Sequence, residues 1–187
     1  MAAPPDIALL RAPFYFLRHG ESTANRDNVI AGRMDSPLTD LGRRQAVEAA
    51  DRLEGVALGA VYASTLDRAL QTARPFAERR GLTVRTLAGL GERGWGRLEG
   101  RPLGERVGGP RAEPPGAEPW NIFVARTWRA LAQIDGSAPV VVVAHSGTLR
   151  ALREGLGLDD GVKAVNAQPM VFTPPESRGD PWSWRAL

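Results

Sequence analysis

The chain has two histidines, and each comes at the end of an apolar run. His19 lies just beyond Phe14-Tyr15-Phe16-Leu17, and His145 directly follows Val140-Val141-Val142-Val143-Ala144. Small residues come next, Gly20 in one case and Ser146-Gly147 in the other. A short β-branched or aromatic run bounded by a turn signal reads as a buried strand, which puts both imidazoles at strand exits. In an open α/β sheet, ligands bind at such exits. Around His19, the residues Arg18, Ser22 and Asn25 offer hydrogen-bond donors, and Gly20 lets the backbone approach a ligand without a clashing Cβ. Arg68, in the first turn of an expected helix, adds a second guanidinium, and the start of the helix after His145 adds backbone amides. Together these groups describe a pocket for a compact dianion such as phosphate. An imidazole there suits attack on phosphorus, because an ordinary pKa of about 6.5 leaves it mostly neutral at pH 7. The second imidazole suits donation to a non-bridging oxygen as charge shifts. Protonating a leaving alkoxide requires a carboxylic acid, and Glu92 in Leu90-Gly91-Glu92-Arg93-Gly94-Trp95-Gly96 is the candidate. Taken singly, Glu92 reads as a solvated loop carboxylate and Arg68 as a helix-surface arginine; their grouping with the histidines gives them weight.

The elements that must position these groups alternate strand and helix along the chain. After the first strand comes a Gly-, Asn- and Asp-rich loop over residues 20–38, then Thr39 as N-cap of a helix running through Leu53, with Val47, Ala50 and Leu53 on one face. Ala60 to Ala63 reads as a second strand, and Ser64 or Thr65 as the cap of a helix from Leu66 to about Arg80, ended by Gly81. Leu82 to Leu87 reads as a third strand. Residues 101–119, dense in Pro and Gly, read as a flexible excursion over the surface, and 93–120 as a substrate-covering loop region. A helix from Trp120 to Ile134, the Val140 strand, a helix from Thr148 to Leu156 and a last strand at Met170-Val171-Phe172 complete the pattern. A tail over 173–187 follows, in which Trp182 and Trp184 are expected to cover a sheet edge or an interface. Strands separated by helical patterns predict a mostly parallel, doubly wound α/β sheet.

Composition bounds the partners. A chain of 187 residues with 43% hydrophobic content suits a single domain spanning 1–187. Its apolar stretches are far shorter than the roughly 20 residues of a membrane span, and Met1 to Asp6 lacks the pattern of a secretory leader, so a cytoplasmic protein without membrane association is expected. Zero cysteines exclude a cysteine nucleophile and thiolate metal sites. The sequence pI of about 10.1 overstates the basicity, since the formal net charge is only +3 and a single lysine is present. Arginines are scattered and no basic stripe is interleaved with aromatics, which argues against nucleic-acid binding.

Leu17-Arg18-His19-Gly20-Glu21-Ser22 with Asn25 resembles the signature of the histidine phosphatase superfamily, in its phosphoglycerate mutase-like branch. Four further blocks are similar in order: Gly32 to Thr39 with Leu41-Gly42, Val61 to Ser64 leading to Arg68 to Ala73, Glu92 with Gly96 to Gly100, and Val143 to Gly147, after which Asn166-Ala167 looks like a late turn. The resemblance implies a three-layer α/β/α sandwich with a mostly parallel central sheet. It implies that His19 is a nucleophile forming a phosphohistidine, that Arg18, Arg68 and His145 surround the phosphoryl group, that Ser22, Asn25 and the amide of Ser146 assist, and that Glu92 acts as acid and then base. It implies neither metal nor cofactor, and a small phosphorylated metabolite as substrate. Where the family often carries Pro-Gly-Gly-Glu-Ser, this chain reads Pro115-Gly116-Ala117-Glu118-Pro119. The expected function is a metal-independent phosphomonoesterase. Phosphoryl transfer between hydroxyls and a non-catalytic phospho-ligand module are the alternatives, and homodimerisation through the tail tryptophans is left open.

Overall fold

The structure, a computed structural model, describes residues 5–136, 139–159, 163–177 and 180–187; residues 1–4 of the leading stretch and 178–179 of the expected tail lie outside them. Its strands are β1 (Phe14–Arg18), β2 (Ala60–Ala63), β3 (Val84–Thr86), β4 (Val140–Ala144), β5 (Met170–Thr173) and β6 (Ser183–Ala186), joined in one sheet in the order β3-β2-β4-β1-β5-β6. The first four of these pair in parallel, while β5 and β6 are antiparallel additions at one side. Helices α1 (Thr23–Arg26), α2 (Asp40–Arg52), α3 (Asp67–Glu78), α4 (Trp120–Leu131) and α5 (Ser146–Gly155) complete the main elements.

Strand side chains alternate between the two faces, and both faces of this sheet are covered. On one face, Phe14, Phe16, Tyr62, Val140, Val142 and Phe172 pack with Ala130 and Leu131 of α4 and Leu149 and Leu152 of α5. On the other, Leu17, Val61, Ala63, Val141 and Val143 pack with Ala49 and Ala50 of α2 and Ala69, Ala73 and Phe76 of α3. The result is the three-layer α/β/α sandwich that the family resemblance implies, around the mostly parallel sheet that the alternating pattern predicts. Each fully buried Val, Leu or Phe contributes about 1.5–3 kcal/mol relative to exposure, so the uninterrupted burial of β4 makes it the centre of the core.

Several local expectations are corrected. Of the expected face of α2, Ala50 and Leu53 are buried but Val47 is 45% exposed, and Ala46 and Ala49 complete the buried stripe. Thr39 does cap that helix, its hydroxyl accepting from the Gly42 N–H at 3.0 Å. The next helix begins at Asp67 with Leu66 as N-cap and no side-chain cap; Ser64 Oγ accepts instead from the Leu66 N–H at 3.2 Å, one residue before the helix. The helix after His145 starts two residues earlier than its apolar pattern indicates, at Ser146. Residues 101–119 are not a free excursion. Val29 bridges Pro102 and Trp95 bridges Ala117, and the Leu103 N–H donates to Asn28 O at 2.7 Å. Nor is Met170 to Phe172 the last strand, since the tail returns as β6 along β5 and buries Trp182 against Phe14. Trp184 lies on that added edge strand, 6.4 Å from the Phe172 ring.

Candidate active site

The sheet order decides where the chemistry gathers. Because β4 lies between β1 and β2, the exits of three adjacent parallel strands deliver Arg18-His19, Ser64 and His145-Ser146 to one edge. There Arg18, His19, Ser22, Asn25, Arg68, Glu92 and Ser146 line one cavity of about 520 Å³. His145 does not line it. That side chain is fully buried next to His19, the two ring centroids 5.2 Å apart.

His19 is 4% exposed. Its N–H donates to Ala144 O at 2.9 Å, prolonging the β1–β4 ladder, and its ring Nδ1 lies 2.7 Å from Gly20 O. A carbonyl oxygen only accepts, so Nδ1 carries the proton and Nε2 keeps the lone pair. Burial, reinforced by the Arg18 and Arg68 charges, pushes its pKa well below 6.5, against the contrary pull of the Gly20 carbonyl. At neutral pH the ring is an uncharged base. A side chain at Gly20 would run into the backbone of Gly42 on α2, so the turn after the histidine tolerates only glycine.

Arg18 and Arg68 flank this ring with their orientation set by the backbone. Arg18 donates to Ala164 O at 3.1 Å, and Arg68 to Met34 O at 2.9 Å and Gly32 O at 2.7 Å. Burial lowers the pKa of both, opposed by the charge of Glu92. Their Nε atoms are buried with no hydrogen-bond partner among the described residues. Buried donors of this kind are costly unless a ligand satisfies them.

Glu92 is held at the N-terminus of α5. Its carboxylate accepts from the Gly147 N–H at 3.1 Å, the Ser146 hydroxyl at 3.2 Å and the Arg93 N–H at 2.8 Å. A Cβ at residue 147 would overlap Glu92 Oε1. Ser22 and Asn25 serve mainly to build the loop: the Ser22 hydroxyl caps α1 by accepting from Asn25 N–H, and Asn25 Oδ1 accepts from Ser22 N–H.

Three contributions escape a linear reading. The Asn166 amide donates to both His19 O and Asn25 Oδ1, tying the late turn to the histidine loop. Ser64 Oγ lies 2.8 Å from His145 Nε2 and also accepts from Leu66 N–H at 3.2 Å, while burial, together with His19, Arg68, Arg18 and Arg126, pushes the His145 pKa well below 6.5. Arg126 of α4 donates to the carbonyls of Gly89, Gly91 and Glu92 and pairs through two nitrogens with Glu118. Glu118 therefore braces the Glu92 loop from behind and does not line the cavity. Only the family-like spacing around Ser64 and Asn166 could have flagged any of these.

Residues 14–161 match the histidine phosphatase superfamily (branch 1). The probable phosphoglycerate mutase GpmB of Yersinia pestis (strain Pestoides F) is 42% identical over 89 residues, which are 48% of this chain and 41% of that protein, so the match spans less than half of that relative's length. Among solved structures, Mycobacterial hydrolase 1 superposes with a TM-score of 0.80 at 28% identity, covering 94% of this chain and 97% of its own. A mycobacterial glucosyl-3-phosphoglycerate phosphatase in complex with VO3 does so with a TM-score of 0.78 at 27% identity, over 94% and 97% of the two chains. With the strand exits, the paired histidines and the flanking arginines in one place, the chain belongs to the histidine phosphatase superfamily.

Proposed function

We propose that the chain is a phosphatase that hydrolyses a small phosphomonoester through a phosphohistidine on His19. The observation that carries this reading is the fixed tautomer of a neutral, buried imidazole beside two arginines with unsatisfied donors. His19 Nε2 attacks phosphorus, the ester P–O bond breaks, and Glu92 gives its proton to the departing oxygen. Water then attacks the phosphohistidine, Glu92 takes a proton from it, the P–N bond breaks and inorganic phosphate leaves. Arg18 and Arg68 meet the non-bridging oxygens, supplying the positive charge that phosphoryl transfer requires without a metal. In this reading the Ser64 hydroxyl donates a hydrogen bond to His145 Nε2, the ring's own proton sits on Nδ1, which is buried without a partner among the described residues, and that N–H is what His145 offers the phosphoryl group from beside His19. Ser22, Asn25 and Ser146 hold the loop and the acid in place. The similarity to a mycobacterial phosphatase over most of both chains supports hydrolysis.

The test is phosphate release from p-nitrophenyl phosphate and a metabolite panel in the presence of a chelator, with acid-labile, base-stable label on the protein after a rapid quench. His19→Ala should abolish both; full activity in that variant, or turnover only with added metal, refutes the mechanism. The partial match to a probable phosphoglycerate mutase favours a second reading, transfer to another hydroxyl, and label on an acceptor in preference to free phosphate would establish it.

A further inference from the structure

The loop that carries Glu92 and the segment that orients Arg68 meet at one carboxylate. On the acid side, Arg126 spends all five of its N–H donors: Nη1 on the carbonyls of Gly89 and Gly91, each at 2.8 Å, Nη2 on Glu92 O and Glu118 Oε2, each at 2.9 Å, and Nε on Glu118 Oε1 at 2.6 Å. The three carbonyls trace the backbone that leads into Glu92, so this guanidinium sets the path of the acid loop. Glu118 in turn holds the guanidinium flat through both of its oxygens, a planar fork on a carboxylate. The Gly94 N–H donates to the same Oε2 at 3.3 Å.

On the phosphate side, Glu118 Oε2 pairs with Arg33 Nη2 at 3.0 Å. Arg33 lies between Gly32 and Met34, the two residues whose carbonyls accept from the terminal nitrogens of Arg68. Its side chain runs over the acid loop, for a Cβ at Gly94 would meet Arg33 Nε at 3.7 Å. Glu99 Oε1 makes a parallel tie, accepting from the Arg33 N–H at 3.2 Å and the Trp95 N–H at 2.8 Å, so the segment keeps a second anchor when Glu118 is changed. The Glu118 side chain is only 10% exposed. Burial works against its charge, but the Arg126 hydrogen bonds, the charges of Arg126 and Arg33 and the Gly94 N–H outweigh it and hold the pKa below the ordinary carboxylate value. An ionised carboxylate thus faces both arginines at neutral pH. Glu118, Arg33 and Arg126 do not line the cavity, so what they do for the reaction passes through Glu92 and Arg68.

We propose that Glu118 is a positioning residue that links the proton donor to the phosphate-binding arginine, holding the Glu92 loop through Arg126 and the Arg68-orienting segment 32–34 through Arg33. One buried carboxylate then sets the distance between the two ends of the reacting ester: the oxygen that leaves and the phosphoryl group that stays. The acid arm of this inference rests on the phosphatase reading; the phosphate arm does not.

The experiment reads the two arms separately. The ratio of kcat for p-nitrophenyl phosphate to kcat for propyl phosphate reports the acid, and calorimetric titration with inorganic phosphate reports Arg68. Glu118→Gln should slow propyl phosphate about tenfold more than p-nitrophenyl phosphate, the effect of losing a charge-assisted hydrogen bond, and should weaken phosphate binding about threefold, the smaller change because Arg33 is 53% exposed. Arg126→Gln should reproduce the first effect and Arg33→Gln the second. Glu118→Asp keeps the charge and should restore part of both. Equal slowing of the two esters by Glu118→Gln with unchanged phosphate affinity, as a general loosening of the fold would give, overturns the proposal. Should that variant fail to fold, the two arginine variants decide: one effect each upholds the link, whereas the same effect from both, or none, overturns it. If the unaltered protein turns over no ester, the phosphatase reading falls and phosphate affinity decides alone. A loss in Arg33→Gln that does not add to that of Glu118→Gln in the double variant upholds the link, and additive or absent losses overturn it.

Discussion

Burying two neutral imidazoles side by side should make stability fall steeply with acid, well above the pH at which carboxylates titrate. Both His19 and His145 are held uncharged chiefly by burial, with the charges of Arg18 and Arg68 adding to the effect, and each has its pKa well below 6.5. The unfolded chain frees both rings, which then take up protons as pH drops through about 6.5. A depressed folded pKa means that stability is present above the unfolded value and is lost as pH falls toward the folded one. Each histidine contributes a slope of about 1.4 kcal/mol per pH unit, so lowering pH from 7.5 to 5.0 should cost about 2 kcal/mol per ring and about 4 kcal/mol for the pair. That is a large share of the roughly 5–15 kcal/mol stability of an ordinary domain. Carboxylates, with ordinary pKa near 4, contribute little in this window. Urea unfolding followed by circular dichroism, at constant ionic strength in phosphate-free buffers, measures the slope. His19→Asn and His145→Asn should each halve it, and the double variant should flatten it. A slope in the unaltered protein equal to that of the double variant would show that the rings are protonated or solvated in the folded state, and would remove the argument for a neutral nucleophile.

Glu92→Gln should slow turnover by about a hundredfold for alkyl phosphates and far less for p-nitrophenyl phosphate, since only poor leaving groups depend on the proton; equal slowing in a leaving-group series removes Glu92 from the acid role. Ser64→Ala deletes the hydroxyl facing His145 Nε2 and should lower kcat about tenfold with little change in KM, an effect that Ser64→Thr partly restores if the hydroxyl is what matters. Gly147→Ala forces a methyl into the Glu92 carboxylate and should reproduce the leaving-group dependence of Glu92→Gln while the phosphate affinity, read by calorimetry, persists. Trp182→Ala removes an indole that is 8% exposed and packed 6.3 Å from the Phe14 ring, and should cost about 3–5 kcal/mol by urea unfolding; a loss below 1 kcal/mol would mean that the tail is not part of the core.

The strands of the central sheet were legible because β-branched and aromatic runs such as Val140 to Ala144 have few other solutions, and the helices between them then dictate parallel pairing. The phase of α2 was legible only in part: Ala50 and Leu53 are buried as expected, Val47 is not. In an alanine-rich helix the buried stripe of Ala46, Ala49 and Ala50 is weakly marked, while the conspicuous Val47 faces solvent. Strand β6 was missed because its pattern, Ser183 to Ala186, is mostly polar and exposed, and only pairing along β5 makes it a strand.

By itself the sequence determined which chemical groups are available: two imidazoles at strand exits, Arg18 and Arg68 beside a glycine turn, and Glu92 in a loop, all of them local features that residue type and spacing encode. The tertiary structure alone decided how those groups are held. It inserted β4 between β1 and β2, so that Ser64 faces His145 across 81 residues of chain; it placed Arg126 and Glu118 behind the Glu92 loop; and it brought Arg33 to Glu118. These pairings depend on strand order and side-chain direction in space, which no spacing along the chain records.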